Sequence, residues 1–329
     1  MTKKYPLMND YWRNRIQVPA YNLASYSTFL HLPGSLRGFV DILHDKKWLR
    51  IHATQEWHDL YQPSTNDELQ LFFDRYTKGI DNGLEEKLPR ENIVNYPLRT
   101  WPPPDTVCQR LYLAQDQRLI AEAPPEHAFV EYPADRVSQQ IDDDDDEALF
   151  RFTFKKRSFL HGSVKAVLAM SCADHDDMDV FLSVRKMDFS GKVLRYANVP
   201  SDEMSANGVD PDKVPLLNLC YYLGPHGQIR ASHRAIDEEL SKPHYIQHKH
   251  LQEEKIPPGT VVEVATSVWP GGIVFNEGES LVFKVSGHPM TLAEFSTLRG
   301  CFVTRNKGRN QIHCGGEKGS YIDVPFVEM

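Results

Sequence analysis

A change in hydrophobic period divides this chain and constrains its fold more than any other feature of the sequence. From Phe150 onward, apolar side chains recur at every second position, as in residues 164–172 and 180–184. A period of two places alternate side chains on one face of a β-strand. Turns rich in Gly, Pro and Asn separate these short runs. The pattern therefore predicts an all-β sandwich or jelly roll.

The first part of the chain has a different pattern, in which strands and helices alternate. Residues 18–24 and 47–52 are typical of short buried strands, and each precedes a segment with helical spacing of apolar residues. We expect Ser35 to cap the first helix, which would run to Leu43. Strand–helix–strand–helix is the order of a parallel sheet with covering helices.

Two parallel strands make an incomplete sheet of this class. They leave a sheet edge and an apolar sheet face unpaired. We therefore expect self-association, or a partner that completes the sheet.

Proline and acidic residues mark the transition between the two patterns. Prolines interrupt the chain repeatedly after Pro89, which places the domain boundary there, with domains at residues 1–89 and 90–329. An acidic run follows at residues 142–147. Because the run is contiguous, it lacks the spaced ligands and turn glycine of a calcium loop. It predicts a solvated loop.

Charge and hydropathy exclude several classes of protein. The formal net charge is −8, and no cluster of Lys and Arg forms a stripe, which argues against nucleic acid as a partner. No segment has the apolar length of a membrane helix, and the N-terminus has no recognisable signal peptide. We expect no membrane contact and a cytoplasmic location.

Two polar clusters and the cysteines are candidate metal ligands. The five cysteines include no C-x-x-C pair, which predicts free thiols in a reducing compartment. The histidine cluster comprises His244, His248 and His250. It lies in a polar loop, which predicts surface histidines. The acidic cluster comprises Asp174, Asp176, Asp177 and Asp179. Its pattern predicts a turn and the start of a strand that contacts the companion domain, rather than a calcium site. No metal or cofactor is predicted.

A nucleophile elbow of the G-x-S-x-G type is missing. Such an elbow places a serine on a sharp turn between a strand and a helix. Three glycine pairs have the required spacing, but the central residues are Leu36, Asp81 and Glu317. None of these side chains can act as a serine-type nucleophile.

Two long segments resemble a known family. Residues 48–57 and the motif F-F-D-R-Y-T-K-G-I-D-N-G at residues 72–83 resemble the end of the catalytic domain of CocE/NonD hydrolases. This family includes cocaine-esterase-like acyl esterases and X-Pro dipeptidyl-peptidases. Segments such as 176–181 and 229–234 resemble the X-Pro dipeptidyl-peptidase C-terminal domain, a jelly roll with a galactose-binding-like fold. The resemblance implies an α/β remnant, the end of an α/β-hydrolase sheet, followed by an all-β jelly-roll sandwich.

The resemblance also implies positions for a Ser–His–Asp triad. It places Thr28 where the family has its acid and Glu56 where the family has its histidine. His52 lies four residues before Glu56, at the end of a predicted strand, where α/β sheets place their chemistry. The serine elbow would lie upstream of Met1. The candidate site residues are His52, Glu56 and Thr28.

Two functions follow as hypotheses. The resemblance implies hydrolysis of a small acyl ester or an X-Pro peptide by a serine hydrolase family member. Because the nucleophile elbow is absent, we expect a fragment or an inactive copy. The alternative is a non-catalytic module in which the jelly roll binds a protein or carbohydrate partner. An in-frame G-x-S-x-G motif upstream of Met1 would favour the first hypothesis.

Overall fold

Two structural units divide the chain, and each contains residues from more than one stretch of sequence. The structure is a computed structural model. It describes residues 18–27, 31–87, 106–142, 146–243, 245–300 and 302–328, the side chains of residues 86 and 87 excepted. The α/β unit comprises Met1–Pro104 and Ala197–Pro211, and the β unit comprises Asp105–Tyr196 and Asp212–Met329. Residues 88–105 lie outside the described ranges, so the boundary at residue 89 stays a prediction.

The α/β unit contains a small parallel sheet with flanking helices. Its elements are β1 (Ala20–Ser25), α1 (Leu32–Asp41), β2 (Lys47–His52), α2 (Glu56–Leu60), α3 (Pro63–Thr77), α4 (Leu84–Lys87) and α5 (Ser201–Ala206). Strands β1 and β2 pair in parallel, from Ala20 opposite Lys47 to Ser25 opposite His52. Both predicted strands are therefore present and pair with one another.

Helix α1 begins earlier than the sequence predicts. Its first residue is Leu32, with Pro33 in the first turn, where the fixed φ of proline suits a helix start. Ser35 lies inside the helix, and its amide donates to the carbonyl of His31. The prediction that Ser35 caps this helix is wrong.

Helices cover both faces of the parallel sheet. On one face, Leu36 and Phe39 of α1 pack against Ala24. On the other face, Phe72 of α3 contacts the ring of Trp48, with centroids 5.9 Å apart. The expectation of an unpaired apolar sheet face is therefore wrong for the described residues, because α1 and α3 each bury one face.

The β unit consists almost entirely of short strands. They are β3 (Val107–Leu113), β4 (Leu119–Ile120), β5 (Ala128–Pro133), β6 (Ala148–Thr153), β7 (Ser158–Gly162), β8 (Lys165–Cys172), β9 (Asp179–Met187), β10 (Tyr196–Ala197, at the unit boundary), β11 (Tyr221–Tyr222), β12 (His226–Arg230), β13 (Val262–Ser267), β14 (Gly271–Phe275), β15 (Ser280–Ser286), β16 (Arg309–Cys314) and β17 (Tyr321–Glu328). Short 3-10 turns span Pro211–Lys213, Ala231–His233, Ser296–Leu298 and Gly316–Lys318. The prediction of a β-rich second part is confirmed.

Two sheets of the β unit contribute to one core. The smaller sheet has the order β12-β9-β15-β6, and the larger has the order β14-β7-β17-β8-β16-β5, with β13 on β8 and β3 on β17. Side chains from both sheets form a single buried cluster, including Phe150 and Phe283 from the smaller sheet and Leu168 and Ile322 from the larger. Alternation along β8 places Leu168 in this cluster, as its period of two predicts.

The flanks of the acidic run are held by buried cations. Both carboxylate oxygens of Asp142 accept from the guanidinium of Arg185, and Glu147 lies 2.6 Å from the ammonium of Lys284. These partners are distant in sequence, so composition alone did not indicate them. The prediction of a solvated loop is wrong for these flanking residues, while residues 143–145 lie outside the described ranges.

Other expectations from composition have simpler outcomes. Cys108, Cys172, Cys220 and Cys314 are free thiols, as predicted, and Cys301 lies outside the described ranges. No helix within the described ranges is long and apolar enough to cross a membrane.

Truncation of a core ring tests the importance of the shared core. Phe283 is fully buried, and Phe189 is 85% exposed. We expect Phe283→Ala to destabilise the β unit by about 3–5 kcal/mol, because it leaves a cavity between the sheets. Phe189→Ala should change stability by less than about 0.5 kcal/mol. Urea unfolding followed by circular dichroism measures both, and equal losses would contradict the assignment of the core.

Buried histidines should make the β unit sensitive to acid. Burial lowers the pKa of His161 and of His226 from 6.5 to about 4. Between pH 6.5 and pH 4 the unfolded chain binds more protons than the folded chain. The contribution of each neutral histidine to the free energy of unfolding is therefore fully present above pH 6.5 and is lost as the pH drops towards 4. The loss should reach about 3 kcal/mol per histidine. Urea unfolding at several pH values should show a weaker pH dependence in His161→Gln than in the wild type or in the exposed-site control His250→Gln.

Candidate functional site

The carboxyl ends of β1 and β2 form the candidate site. In a parallel pair both strands end at the same edge, and here Ser25 lies opposite His52. Ligands and catalytic groups of open α/β sheets collect at this edge. His31 precedes α1, the element that follows β1 in the chain, and the loop after β2 leads to α2, whose first residue is Glu56.

His52 lies at this edge but is enclosed. Its side chain is 8% exposed, with Nδ1 3.2 Å from the hydroxyl of Thr54 and Nε2 3.8 Å from a carboxylate oxygen of Asp59. Burial lowers the pKa of His52, which favours the neutral ring. With these contacts, the side chain of His52 belongs to the interior of the protein. Its location at the end of β2 agrees with the predicted strand end.

Asp59, the carboxylate nearest to His52, belongs to a buried ion pair with Arg50. The guanidinium of Arg50 donates to both oxygens of Asp59, at 2.7 and 2.8 Å, and also donates to the hydroxyl of Thr65 at 3.2 Å. Glu68 lies 3.5 Å from Arg50 and accepts from the hydroxyl of Tyr21. A bidentate pair of this kind fixes the orientation of both side chains. The charge of Asp59 is thereby neutralised by Arg50.

Glu56 faces a histidine that sequence reasoning missed. The Nε2 atom of His31 lies 4.0 Å from a carboxylate oxygen of Glu56, and both side chains are exposed. The backbone amide of Glu56 does not contribute to this pair, because it donates to the side-chain oxygen of Gln55, the residue that caps α2. His31 lies three residues after Thr28, so a search for histidines near the acid position would have found it.

The remaining predicted site residue, Thr28, lies outside the described residues. Of the predicted residues, the structure places Glu56 and His52 at one edge, together with His31.

The serines at this edge are committed to the backbone. The Oγ atom of Ser25 donates to the carbonyl of Thr54 at 2.5 Å, and the Oγ atom of Ser27 donates to the carbonyl of Ala53 at 3.1 Å. Both serine residues are buried. A nucleophile needs an accessible hydroxyl beside a base. Neither serine meets this requirement.

A second stretch of sequence reaches α2. The carbonyl of Asn198 accepts from the amide of Gln55 at 2.8 Å, and Glu203 of α5 lies 2.8 Å from Nε2 of His58. The local sequence gives no signal for these contacts, since the partners are about 145 positions apart.

The acidic cluster of the β unit is satisfied by internal partners. Asp177 accepts hydrogen bonds from Ser232 and Lys255. Asp179 accepts hydrogen bonds from two nitrogens of the Arg230 guanidinium. Burial opposes ionisation of Asp177, but these hydrogen bonds hold its pKa below the usual range. The cluster therefore organises the start of β9, and these carboxylates need no calcium.

Within the described residues, the histidine cluster does not form a set of metal ligands. His248 is buried, with Nε2 2.8 Å from the carbonyl of Ala265 in β13. His250 is exposed, and His244 lies outside the described residues. The prediction of surface histidines is therefore confirmed for His250 and wrong for His248, whose ring is buried against β13.

One serine and two histidines of the β unit imitate a catalytic triad. The ring of His313 lies 2.8 Å from the hydroxyl of Ser171 and 3.0 Å from Nε2 of His127. However, Ser171 is buried in β8 and donates to the side chain of Gln311. If Ser171 donates there, His313 donates to Ser171 and cannot act as its base. The group is structural.

Comparison with known proteins identifies the family. Residues 79–323 match the family described as the X-Pro dipeptidyl-peptidase C-terminal non-catalytic domain. A crystal structure of a CocE/NonD family hydrolase from Staphylococcus aureus is similar, with 25% identity and a TM-score of 0.79, over 99% of this chain and 58% of that chain. The chain belongs to the CocE/NonD hydrolases and carries the X-Pro dipeptidyl-peptidase C-terminal non-catalytic domain.

More distant structures share the fold. An aminopeptidase from the marine sediment archaeon Thaumarchaeota archaeon has 14% identity and a TM-score of 0.61, over 97% of this chain and 58% of that chain. An α-amino acid ester hydrolase has 13% identity and a TM-score of 0.60, over 99% and 60%. The chain thus spans somewhat over half the length of these structures. No curated protein matches its sequence.

Exchange of one charged side chain tests the ion pair beneath the site. We expect Asp59→Asn to destabilise the α/β unit by about 2 kcal/mol, because Arg50 loses its bidentate partner while Glu68 remains nearby. Glu56→Gln, in the same helix, removes an exposed charge and should change stability by less than about 0.5 kcal/mol. Hydrogen exchange of peptides from residues 47–77 measures the difference, and equal protection in both variants would contradict it.

Proposed function

We propose that this chain supplies one edge of a hydrolase site for small acyl esters or X-Pro peptides. The pairing of His31 with Glu56 at the ends of β1 and β2 carries the proposal. An imidazole beside a carboxylate is the acid–base combination that activates a serine nucleophile. Membership of the CocE/NonD hydrolases supports the same chemistry.

The nucleophile is proposed to come from outside these 329 residues. Every serine of the sequence lies in a described range. The two serines at the candidate edge, Ser25 and Ser27, donate to backbone carbonyls. A serine from further polypeptide or from a second chain would complete the site. Without it, the chain would be an inactive relative of the family's enzymes.

The β unit is proposed to be a jelly roll of the galactose-binding-like type. Two antiparallel-paired sheets around one core support this arrangement. The matching family is described as non-catalytic, which favours a second candidate function for the chain. In that function the β unit binds a protein or carbohydrate partner without chemistry.

The edges of the small parallel sheet suggest a place for a partner. Within the described residues, β1 and β2 form a two-stranded sheet. Two strands leave outer edges with backbone groups available for pairing. A partner or a second copy that adds a strand there would extend the sheet.

A serine-directed probe tests the proposal. We expect no covalent labelling of the purified chain by a fluorophosphonate, and no turnover of p-nitrophenyl butyrate or of an X-Pro p-nitroanilide, because the two serines at the candidate edge are buried and donate to backbone carbonyls. A known serine esterase serves as the labelling control. A labelled serine, located by mass spectrometry, would contradict the proposal. Turnover that is lost in Ser25→Ala would identify that serine as the nucleophile instead.

A further inference from the structure

A mixed cluster of carboxylates and imidazole lies in the β unit, at the end of the acidic run. One ligand atom from each of Asp146, Glu147 and His288 lies within 4.8 Å of the other two. Asp146 and Glu147 directly precede β6, and His288 follows β15 by two residues. Because β6 and β15 pair with Ala148 opposite Val285, the sheet register holds all three residues at one end of the same strand pair.

Both ring nitrogens of His288 face oxygen acceptors. Nδ1 lies 3.2 Å from the carbonyl oxygen of Pro289, and Nε2 lies 3.0 Å from a carboxylate oxygen of Asp146. A neutral imidazole has one N–H and can donate to one of these two acceptors. In the tautomer that donates from Nδ1, the lone pair of Nε2 faces the Asp146 oxygen, and a proton or a metal ion between these two atoms satisfies both.

The cluster is largely enclosed. The side chains of His288, Glu147 and Asp146 are 9%, 3% and 23% exposed. Water therefore solvates these groups only in part. A proton on Nε2 would satisfy Asp146 alone. A metal ion would engage Asp146 and Glu147 together.

Both His288 and Glu147 have partners of the kind that orient metal ligands. Histidines that bind metals usually donate the other ring N–H to a carbonyl or a carboxylate, and ligating carboxylates are themselves hydrogen-bonded. Pro289 provides this contact for His288. The ammonium of Lys284 provides it for Glu147, at 2.6 Å. The positive charge of Lys284 limits the affinity of the site, so we expect moderate rather than tight binding.

We propose that Asp146, Glu147 and His288 bind a divalent transition-metal ion of the Zn²⁺ or Mn²⁺ type. One imidazole and two carboxylates suit these ions, whereas Ca²⁺ takes six to eight oxygen ligands. The 3.0 Å between Nε2 and the Asp146 oxygen is close to the spacing of about 3.3 Å between tetrahedral ligands about 2.0 Å from zinc. The bound ion would fasten the end of the acidic run to the end of β15.

Titration of the metal into the full chain tests this site. Tag-free protein, treated with a chelator and dialysed, is titrated with ZnCl₂ and separately with MnCl₂ by isothermal calorimetry at pH 7. We expect one site in the wild type, and at least about 10-fold weaker binding in Asp146→Asn and in His288→Asn. Because the exposed His250 belongs to the other histidine cluster, His250→Asn is the matched control and should retain the site.

Thermal unfolding gives an independent measurement and monitors folding of the variants. A saturating metal should raise the unfolding temperature of the wild type and of His250→Asn, but not of Asp146→Asn. Metal-free Asp146→Asn should show the circular dichroism spectrum of the wild type, which separates loss of ligation from loss of fold. Absence of Zn²⁺ and Mn²⁺ binding by the wild type would mean that a proton alone bridges His288 and Asp146, and would overturn the proposal. Wild-type affinity in both Asp146→Asn and His288→Asn would overturn it equally.

Discussion

The position of β15 between β6 and β9 is the constraint on which the β unit depends. Phe283 lies between Phe150 and Val184 in the sheet and is fully buried in the shared core. A register shift of one residue would exchange the faces of Phe283 and Lys284, and would place the charged Lys284 side chain in the shared core. The register also determines the position of Lys284, which faces Glu147. Core packing and the placement of the charged cluster near His288 thus follow from one set of strand pairings.

A buried charge organises the edge of the α/β unit in a comparable way. Arg50 lies on β2 with its guanidinium largely enclosed, and such a group requires a carboxylate partner. Asp59 meets this requirement with two hydrogen bonds. Since Asp59 and His52 are then both part of the interior, the accessible acid–base groups at this edge are Glu56 and His31. Because Asp59 is the partner of Arg50, its carboxylate is not available for acid–base chemistry at this edge.

Predictions from the sequence succeeded where the pattern was local. Alternation along residues 164–172 predicted β8 and its buried face, because side-chain direction in a strand depends on position alone. Predictions failed where a distant partner decides the outcome. The flanks of the acidic run were expected in solvent, yet Arg185 and Lys284 bind them. The contacts of Asn198 and Glu203 with α2 had no local signal either.

By itself, the sequence determined the two classes of secondary structure, the family and the strand edge at which Glu56 and His52 lie. Hydrophobic period and long motifs carry this information, since both are properties of neighbouring residues. Only the tertiary structure decided that His31 faces Glu56 and that His52 turns into a buried network. It alone brought His288 to Asp146, 142 positions away. Distances between such residues depend on strand register and helix packing, which no local pattern contains.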